Sequence, residues 1–222
     1  MRTRKKPWAK KELETNNYLI PNPRDYKNNW SKYFISNNTN ILEDSGNKEL
    51  HLEIGCGKGS FITKTAQINP DINYLALERE EQVIVSGMRQ AKELELKNIG
   101  FILSDVSQLQ EYFGEAELGR LYINFCDPWP NKKKWAKRRL THANFLAVYK
   151  KLLKPGAGIF FKTDNTLLFE FSLNSFADNG WRLRNISLDL AKSPYEGNIQ
   201  TEYEEKFSSK GMSIYRLEAY TL

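Results

Sequence analysis

The stretch LHLEIGCGKGS, residues 50–60, joins an apolar run to three closely spaced glycines. Its first half predicts a buried β-strand, because short apolar runs bounded by glycine-rich turns are typical of strands. Residues 60–68 follow with apolar side chains at helical spacing, and Phe61 and Ile62 are among those expected to face inward. A strand, a glycine turn and a helix in this order predict the opening of an α/β fold.

Further strands and helices alternate along the chain. Apolar runs predict strands over residues 73–78, 99–105, 120–127 and 158–164. Helical spacing predicts helices over residues 82–96, 143–153 and 167–180. The last two segments, 181–190 and 213–222, alternate apolar and polar positions and predict a closing antiparallel pair. The order predicts an α/β fold with a mostly parallel seven-stranded sheet and helices on both faces.

The first 40 residues differ in composition from the rest of the chain. They are polar and basic, contain three prolines and end in an asparagine-rich segment. This composition predicts a basic N-terminal arm over residues 1–40. The remaining residues, 41–222, have a length and an apolar content that suit one folded domain.

Charge and cysteine content restrict the class of protein. The chain has 33 Lys and Arg against 27 Asp and Glu, and six cations fall in each of the segments 2–11 and 132–139. Such patches suit a phosphate backbone, but they also suit a solvated tail and a solvated helix start. No stretch approaches the ~20 apolar residues of a membrane span, and no apolar segment follows the charged N-terminus as in a signal peptide. With only two cysteines, we expect a cytoplasmic protein without a disulfide framework or a zinc site.

Acidic residues recur at the ends of the predicted parallel strands. In chain order they are Glu53, Glu78, Asp105 and Asp127. Because open α/β sheets bind ligands at the carboxyl ends of their strands, these acids are predicted to line one pocket. The first strand is followed by Gly55, Gly57 and Gly59, whereas Ser60 stands where a dinucleotide fingerprint has its third glycine.

These acids and glycines predict a site for an adenosine with a cationic tail. Glu78 lies 19 residues after Gly59, where a carboxylate accepts hydrogen bonds from both hydroxyls of a ribose. Asp105 suits the exocyclic amine of an adenine, although it also suits the N-cap of a helix. Glu53, ahead of the glycines, suits a cation better than a pyrophosphate. S-adenosylmethionine has these features, but the glycine loop alone also fits an ordinary strand-to-helix turn.

The E-x-G-x-G-x-G turn and the acids after it resemble those of class I S-adenosylmethionine-dependent methyltransferases, which implies a Rossmann-like fold. Four further motifs are more specific: CDPWP (126–130), KRRLTH (137–142), FFKTDN (160–165) and TEYEEKF (201–207). Their order over roughly residues 1–220 resembles the bacterial tRNA (guanine-N7-)-methyltransferase family. The resemblance implies methyl transfer from S-adenosyl-L-methionine to N7 of guanine 46 in the variable loop of a tRNA.

The resemblance also implies roles for individual residues. Those implied to bind the cofactor are Glu53, Gly55, Gly57, Gly59, Glu78, Asp105 and Asp127, of which Asp127 is also implied to be catalytic. Those implied to bind the substrate are Lys132, Asp164, Thr201, Glu202, Tyr203 and Glu204. In the family a lysine follows DPWP directly, but here Asn131 stands there, and counting back from Arg138 and Arg139 favours Lys132. Without the resemblance, residues 201–204 would suit a solvated loop.

The chemistry of guanine N7 is consistent with a carboxylate after the fourth strand. N7 has an in-plane lone pair, so no base is needed to remove a proton before it attacks. Asp127 is predicted to orient guanine and to stabilise the positive charge that develops on its ring. Trp129 is predicted to pack on a base or on the adenosine, or else in the core, and the cations of 132–139 are predicted to hold phosphates.

Two other functions fit parts of the sequence. The glycine loop and the acid after the second strand also suit a nicotinamide-dependent oxidoreductase, and the basic patches also suit a non-catalytic RNA-binding module. His51 lies within a strand run and His142 has no visible partners, so we expect no metal site. The expected partner is tRNA, with no membrane, and the protein is expected to be a monomer or a homodimer.

Overall fold

The computed structural model describes residues 7–36, 48–130, 132–208 and 211–221, with the backbone alone for Pro7 and Lys133. Seven strands form a sheet in the order β3-β2-β1-β4-β5-β7-β6, numbered along the chain. The chain forms two compact units, one up to Phe113 and one from Gly114. The predicted fold class, a mostly parallel seven-stranded α/β sheet with an antiparallel C-terminal pair, is confirmed.

Within its described residues, the first unit contains three parallel strands and five α-helices, besides short 3-10 helices. The strands are β1 (Glu49–Ile54), β2 (Ile72–Glu78) and β3 (Ile99–Leu103). The helices are α1 (Pro7–Thr15), α2 (Trp30–Ser36), α3 (Ser60–Ile68), α4 (Glu81–Glu93) and α5 (Leu109–Tyr112). In the parallel register Leu52 lies beside Leu75, which in turn lies beside Gly100. All three strands have continuous buried runs, as expected of parallel strands.

Two glycines set the packing of α3 against α4. Gly59 precedes α3 with φ +78°, a conformation that glycine adopts without strain. A Cβ atom on Gly59 would lie 2.6 Å from the Cα of Gly87 in α4, so both residues must be small. Phe61 and Ile62 of α3 are buried as predicted.

The N-terminal segment packs on the first unit. Phe101 of β3 exchanges two backbone hydrogen bonds with it, accepting from the Ile20 N–H at 2.9 Å and donating to the Tyr18 carbonyl at 2.8 Å. The Glu12 carboxylate in α1 accepts from the Arg89 guanidinium in α4. The predicted arm therefore includes ordered helices, while the proposed boundary at residue 40 lies outside the described residues and stays a prediction.

The described part of the second unit contains four strands and four α-helices, besides the 3-10 helix Leu190–Lys192. The strands are β4 (Leu118–Asn124), β5 (Leu153–Thr163), β6 (Arg182–Ser187) and β7 (Tyr215–Tyr220). The helices are α6 (Lys133–Ala136), α7 (Ala143–Leu152), α8 (Thr166–Asp178) and α9 (Glu202–Ser208). β4 pairs parallel with β5, and β7 pairs antiparallel with both β5 and β6. The two closing strands thus pair as the sequence predicted.

Several strand boundaries differ from the prediction: β3 ends at Leu103 rather than at residue 105, and β6 ends at Ser187 rather than at residue 190. β4 ends at Asn124 rather than at residue 127, because Phe125 has φ +51° and leaves the extended conformation. β5 begins at Leu153 rather than at residue 158. The Lys-Pro-Gly signal does end α7, but a register shift between Leu118 and Arg120 accommodates the extra residues at the start of β5.

Candidate active site

The glycine turn after β1 is fixed by backbone hydrogen bonds and is open on one side. The Leu77 carbonyl accepts from the N–H groups of Gly55 at 2.8 Å and Cys56 at 3.1 Å. Gly55 and Gly57 have φ angles of +70° and +57°, and a Cβ on either would meet no atom within 4 Å. The turn therefore presents bare backbone to a space that a ligand can enter.

Glu78 lies beside this turn at the end of β2. One carboxylate oxygen accepts from the Gly57 N–H at 3.0 Å. The other accepts from the N–H groups of Arg79 at 2.8 Å and Glu80 at 3.1 Å. These three bonds orient the carboxylate, and an ionised carboxylate offers about four acceptor positions, so at least one position is left for a hydroxyl group of a ligand.

Glu53 and Glu78 lie near the same buried thiol. Glu53 is only 2% exposed, and the pKa of the Cys56 thiol is raised well above its usual value, first by burial and then by the charges of these two carboxylates. Negative potential therefore concentrates at the carboxyl ends of β1 and β2. This potential suits a positively charged group on a ligand.

Asp105 follows β3 and caps the short 3-10 helix Val106–Gln108. Its Oδ1 atom accepts from the Ser107 N–H at 2.9 Å, and this hydrogen bond is the main cause of the lowered pKa of the carboxyl group. The capping role that the sequence left open is confirmed. The carboxylate is exposed and ionised at neutral pH, and its contact with adenine stays a prediction.

In the second unit, Asp127 lies exposed on a strained turn after β4. Phe125 and Trp129 flank it with φ angles of +51° and +47°, which bulky residues seldom adopt. Arg139 holds this turn, donating to the carbonyl oxygens of Pro128 at 3.0 Å and Trp129 at 3.3 Å. Because Arg139 is only 3% exposed, the expectation that every cation of 132–139 contacts phosphate does not hold for it.

The Asp127 carboxylate also acts on the residue before it. The pKa of the Cys126 thiol is raised to about 12, first by burial and then by the charge of Asp127. The thiol is therefore neutral at physiological pH and unsuited to act as a nucleophile. Asp127 is the residue of this turn whose side chain can place a negative charge next to a nucleotide base.

Two indole rings and an arginine form a stack next to the turn. Trp129 lies parallel to Trp135, with ring centroids 5.4 Å apart and an interplanar angle of 12°. The Arg138 guanidinium lies 4.8 Å and 4.7 Å from the two centroids. Trp129 is half-buried, so it is not the plain core residue that the sequence left possible. Lys132 is exposed, and Asn131 lies outside the described residues.

The TEYEEKF motif, residues 201–207, contains residues that hold α9 in place and residues that face solvent. The Thr201 hydroxyl oxygen accepts from the Glu204 N–H at 2.9 Å, which caps the helix. Glu204 is 2% exposed and accepts from the Lys162 ammonium at 2.8 Å. Glu202 and Tyr203 are exposed. The predicted substrate contacts of Thr201 and Glu204 stay predictions, beside these structural roles.

α9 lies near the Asp127 turn. The Tyr203 and Phe125 rings are 5.5 Å apart, and the Phe125 N–H donates to the Lys162 carbonyl at 2.9 Å. Asp164 follows β5, the parallel neighbour of β4. The second unit therefore brings Asp127, Asp164 and Tyr203 to the carboxyl ends of two adjacent strands.

Within each unit the structure brings predicted site residues together, and their roles stay predictions. The first unit brings Glu53, Glu78 and the glycine turn together, and the strand order puts Asp105 at the same edge. That Asp127 lines one pocket with these acids stays a prediction, because it belongs to the second unit.

Three residues that support the site were not singled out from the sequence, namely Lys162, Trp135 and Arg139. Trp135 and Arg139 lie within the basic segment after DPWP, where their charge or aromatic character gave no sign of how they pack. Lys162 lies in a strand, and its partner Glu204 is remote in the sequence.

The histidines show no sign of metal binding in the described segments. His51 is buried in β1 against the Tyr74 ring, at 5.5 Å between centroids. The His142 Nδ1 atom accepts from the Asn144 N–H at 3.2 Å, and burial lowers the pKa of its imidazole. Across the described segments, no group of three or more His, Cys, Asp or Glu could hold a metal ion. Nor does any helix there have the length and apolar character needed to cross a bilayer.

Comparison with known proteins identifies the family. Residues 47–217 match a family model described as putative methyltransferase. A tRNA (guanine-N(7)-)-methyltransferase of Clostridioides difficile is 48% identical over 98% of this chain and 97% of its own length. One from Halalkalibacterium halodurans is 48% identical over 99% of this chain and 95% of its own.

Solved structures agree on the fold. An antibiotic-related methyltransferase superposes with a TM-score of 0.59 at 17% identity, covering 83% of this chain and 98% of its own. The methyltransferase matches count against the nicotinamide-dependent alternative. With near full-length relatives at this identity, the chain belongs to the bacterial tRNA (guanine-N7-)-methyltransferase family.

Proposed function

We propose that the protein transfers a methyl group from S-adenosylmethionine to N7 of guanine 46 in tRNA. The observation that carries this proposal is the 48% identity to tRNA (guanine-N(7)-)-methyltransferases over 98% and 99% of the chain. The position of the base within the tRNA rests on the CDPWP, KRRLTH, FFKTDN and TEYEEKF motifs. The residues of each unit support the chemistry that such a transfer requires.

The first unit fits the methyl donor. Open space beside Gly55 and Gly57 admits a ligand to the backbone of the turn. In the proposal Glu78 accepts from the ribose hydroxyls, Glu53 faces the cationic amino-acid end and Asp105 accepts from the adenine amine. When bound, S-adenosylmethionine supplies an electrophilic methyl group on a sulfonium. The negative potential around Cys56 favours a cation there.

The second unit fits the acceptor base. Asp127 is proposed to accept hydrogen bonds from the N–H edge of guanine and so to orient N7 toward the methyl group. As the N7–carbon bond forms and the carbon–sulfur bond breaks, positive charge moves to the purine, where the carboxylate stabilises it. S-adenosylhomocysteine leaves, and no proton is removed before the attack. Alignment of N7 with the methyl group is the larger effect, contributing up to about 7–11 kcal/mol.

Contacts with the rest of the tRNA are proposed for the exposed residues near Asp127. Lys132, Lys134, Lys137 and Arg138 are exposed and suit phosphates on either side of the target. Asp164, Glu202 and Tyr203 are proposed to contact the target nucleotide, with Thr201 and Glu204 holding their helix. A cytoplasmic location and a monomer or homodimer remain part of this proposal.

The test is methyl transfer to two tRNA transcripts, one with guanosine and one with adenosine at position 46. With labelled S-adenosylmethionine, we expect label at N7 of guanine 46 in the first transcript and none in the second. Label at another nucleotide, or transfer to both transcripts alike, would refute the assignment.

Asp127→Asn tests the proposed catalytic residue. It should lower kcat by about 10²-fold or more while tRNA binding persists, since it removes charge stabilisation at the reacting base. Asp178→Asn, at the exposed end of α8, is the matched control and should retain activity. If the Asp127→Asn variant kept the wild-type kcat, Asp127 would not be a catalytic residue.

A further inference from the structure

One face of the sheet in the second unit carries an unusual set of arginines. Side chains alternate between the two faces of a strand, and Phe161 faces α8, where its ring stacks on Phe169 at 6.3 Å. Its neighbour Phe160 therefore faces the other way. The register places Phe160 between Tyr122 of β4 and Glu218 of β7, and Glu218 beside Arg184 of β6.

We call the half-exposed end of this surface the arginine face. Its members are Arg120, Phe160, Arg182, Arg184 and Tyr220. At the other end, toward the close of β5, the chain covers the sheet: the Arg216 guanidinium lies 3.6 Å from the Tyr195 ring centroid, and Lys162 bonds Asn198. Toward the start of β5, Phe160 and Tyr220 are partly accessible, and Arg182 and Arg184 are exposed.

Aromatic rings support the arginines of this face. The Arg120 guanidinium lies 4.2 Å from the Phe160 centroid, and that of Arg184 lies 5.9 Å from the Tyr220 centroid. A Cβ on Gly158 would lie 2.9 Å from the Tyr220 ring, so glycine allows that ring to lie across β5. A guanidinium supported by a ring keeps a planar set of N–H donors, which matches the geometry of a phosphate.

The charge on the face is strongly positive. The four strands place Arg120, Lys162, Arg182, Arg184 and Arg216 on this side, against Glu218 alone among the acids. Glu218 is 4% exposed and accepts from Arg216, Asn185 and Tyr220. α9 adds Glu204, which pairs with Lys162. The exposed part of the surface is therefore cationic, and it complements a polyanion.

We propose that the arginine face binds the phosphate backbone of the tRNA substrate, which rests on the proposed function. Arg120 lies four residues before the end of β4, about 13 Å along the strand from the start of the Asp127 turn. The face would thus contact phosphates apart from the target nucleotide, and it would position the RNA without reading its sequence. Arginines on the edge strand β6 also hinder strand pairing between molecules, and this alternative must be separated by experiment.

The test compares two double variants that remove the same charge. Arg182→Gln/Arg184→Gln removes two of the three arginines of the face. Lys150→Gln/Lys151→Gln removes two exposed lysines on α7, which packs with α8 on the other side of the sheet. tRNA affinity is measured for each over a series of salt concentrations. For two lost phosphate contacts, the slope of log K against log salt should become shallower by about 1.4–1.8. The lysine variant should keep the wild-type slope.

Two results would overturn the proposal, namely a wild-type slope in the arginine variant or an equal change of slope in the lysine variant. If the arginine variant kept the wild-type slope and also self-associated, protection of the sheet edge would be established instead. A third variant, Arg184→Lys, keeps the charge and should retain most of the slope if its fold is intact. The proposed function would be refuted if the wild-type protein bound tRNA with a steep slope of log K against log salt but transferred no methyl group. In that case the phosphate-binding role of the arginine face would still hold.

Discussion

Replacing Lys162 with methionine should destabilise the second unit and loosen α9. The ammonium donates to the Glu204 carboxylate at 2.8 Å, and to Asn198 Oδ1 and the Ile199 carbonyl at 3.0 Å each. Methionine fills the space of the lysine methylenes but donates no hydrogen bond. The change therefore isolates the charge and its three bonds from the packing of the side chain.

The burial of both partners sets the size of the effect. Lys162 is 6% and Glu204 2% exposed, so the carboxylate left behind would be a buried charge. Removing one partner of such a pair costs about 3–5 kcal/mol, whereas replacing both partners by apolar residues is often close to neutral. The Asn198 amide still donates to Glu204, which puts the expected loss near ~3 kcal/mol. Lys162→Met/Glu204→Met should recover about 2 kcal/mol of it.

Urea unfolding measures the stability and steady-state methylation measures the function. Because Glu202 and Tyr203 lie on α9, the KM for tRNA should rise by about tenfold in the single variant. The KM for S-adenosylmethionine should stay constant, because Glu53, Glu78 and Asp105, which are proposed to hold the donor, belong to the first unit. Lys154→Met, an exposed position in the same strand, is the control and should change neither quantity.

The reasoning is refuted by two outcomes. A single variant that loses less than about 1 kcal/mol would mean that the buried pair is not a determinant of stability. A double variant as unstable as the single one would mean that the uncompensated charge is not the cause of the loss.

Two predictions concern the first unit. Gly59→Ala should lower the free energy of unfolding by more than about 2 kcal/mol, and Gly57→Ala by about 1 kcal/mol. Both positions have a positive φ, but only at Gly59 would the added methyl group collide with a neighbour, the Cα of Gly87 at 2.6 Å. Equal losses of stability in urea unfolding would contradict this prediction. Asp105→Asn keeps an acceptor for the Ser107 N–H but removes the charge, so the KM for S-adenosylmethionine should rise about tenfold and stability at neutral pH should fall slightly. Folding lowers the pKa of Asp105, so the stability that its carboxylate gives the wild-type protein is complete above the ordinary aspartate pKa and is lost as the pH falls through the lowered pKa. The variant should not show this loss of stability in acid. An unchanged KM for S-adenosylmethionine would mean that Asp105 only caps the helix.

Local patterns predicted the strands, the glycine turn and the acids at the strand ends. Each of these depends on residues close in sequence, such as the apolar run that ends at Ile54. The errors fall where backbone conformation overrides the pattern. The sequence pattern predicts that β4 continues through Phe125, but the positive φ of Phe125 ends the strand at Asn124, three residues before Asp127.

The support of the site depends on contacts between distant parts of the chain. A lysine in a strand predicts an exposed position, and nothing near Lys162 indicates that Glu204, 42 residues later, will bury it. The helix α9 was not predicted, because residues 201–204 suited a solvated loop, although Thr201 and Glu204 have the Thr-x-x-Glu spacing of a capping box. Gly87 gave no signal, because a glycine inside a helix reveals its purpose only once its neighbour Gly59 is known.

The two left-handed residues around Asp127 have an energetic consequence for the catalytic role proposed for it. Phe125 and Trp129 each hold a bulky side chain in a backbone region that costs about 1–2 kcal/mol. The Lys162 carbonyl and the Arg139 guanidinium restrain the two sides of the turn. The free energy needed to orient the carboxylate is thus spent when the chain folds, and little reorganisation is left for the encounter with the base.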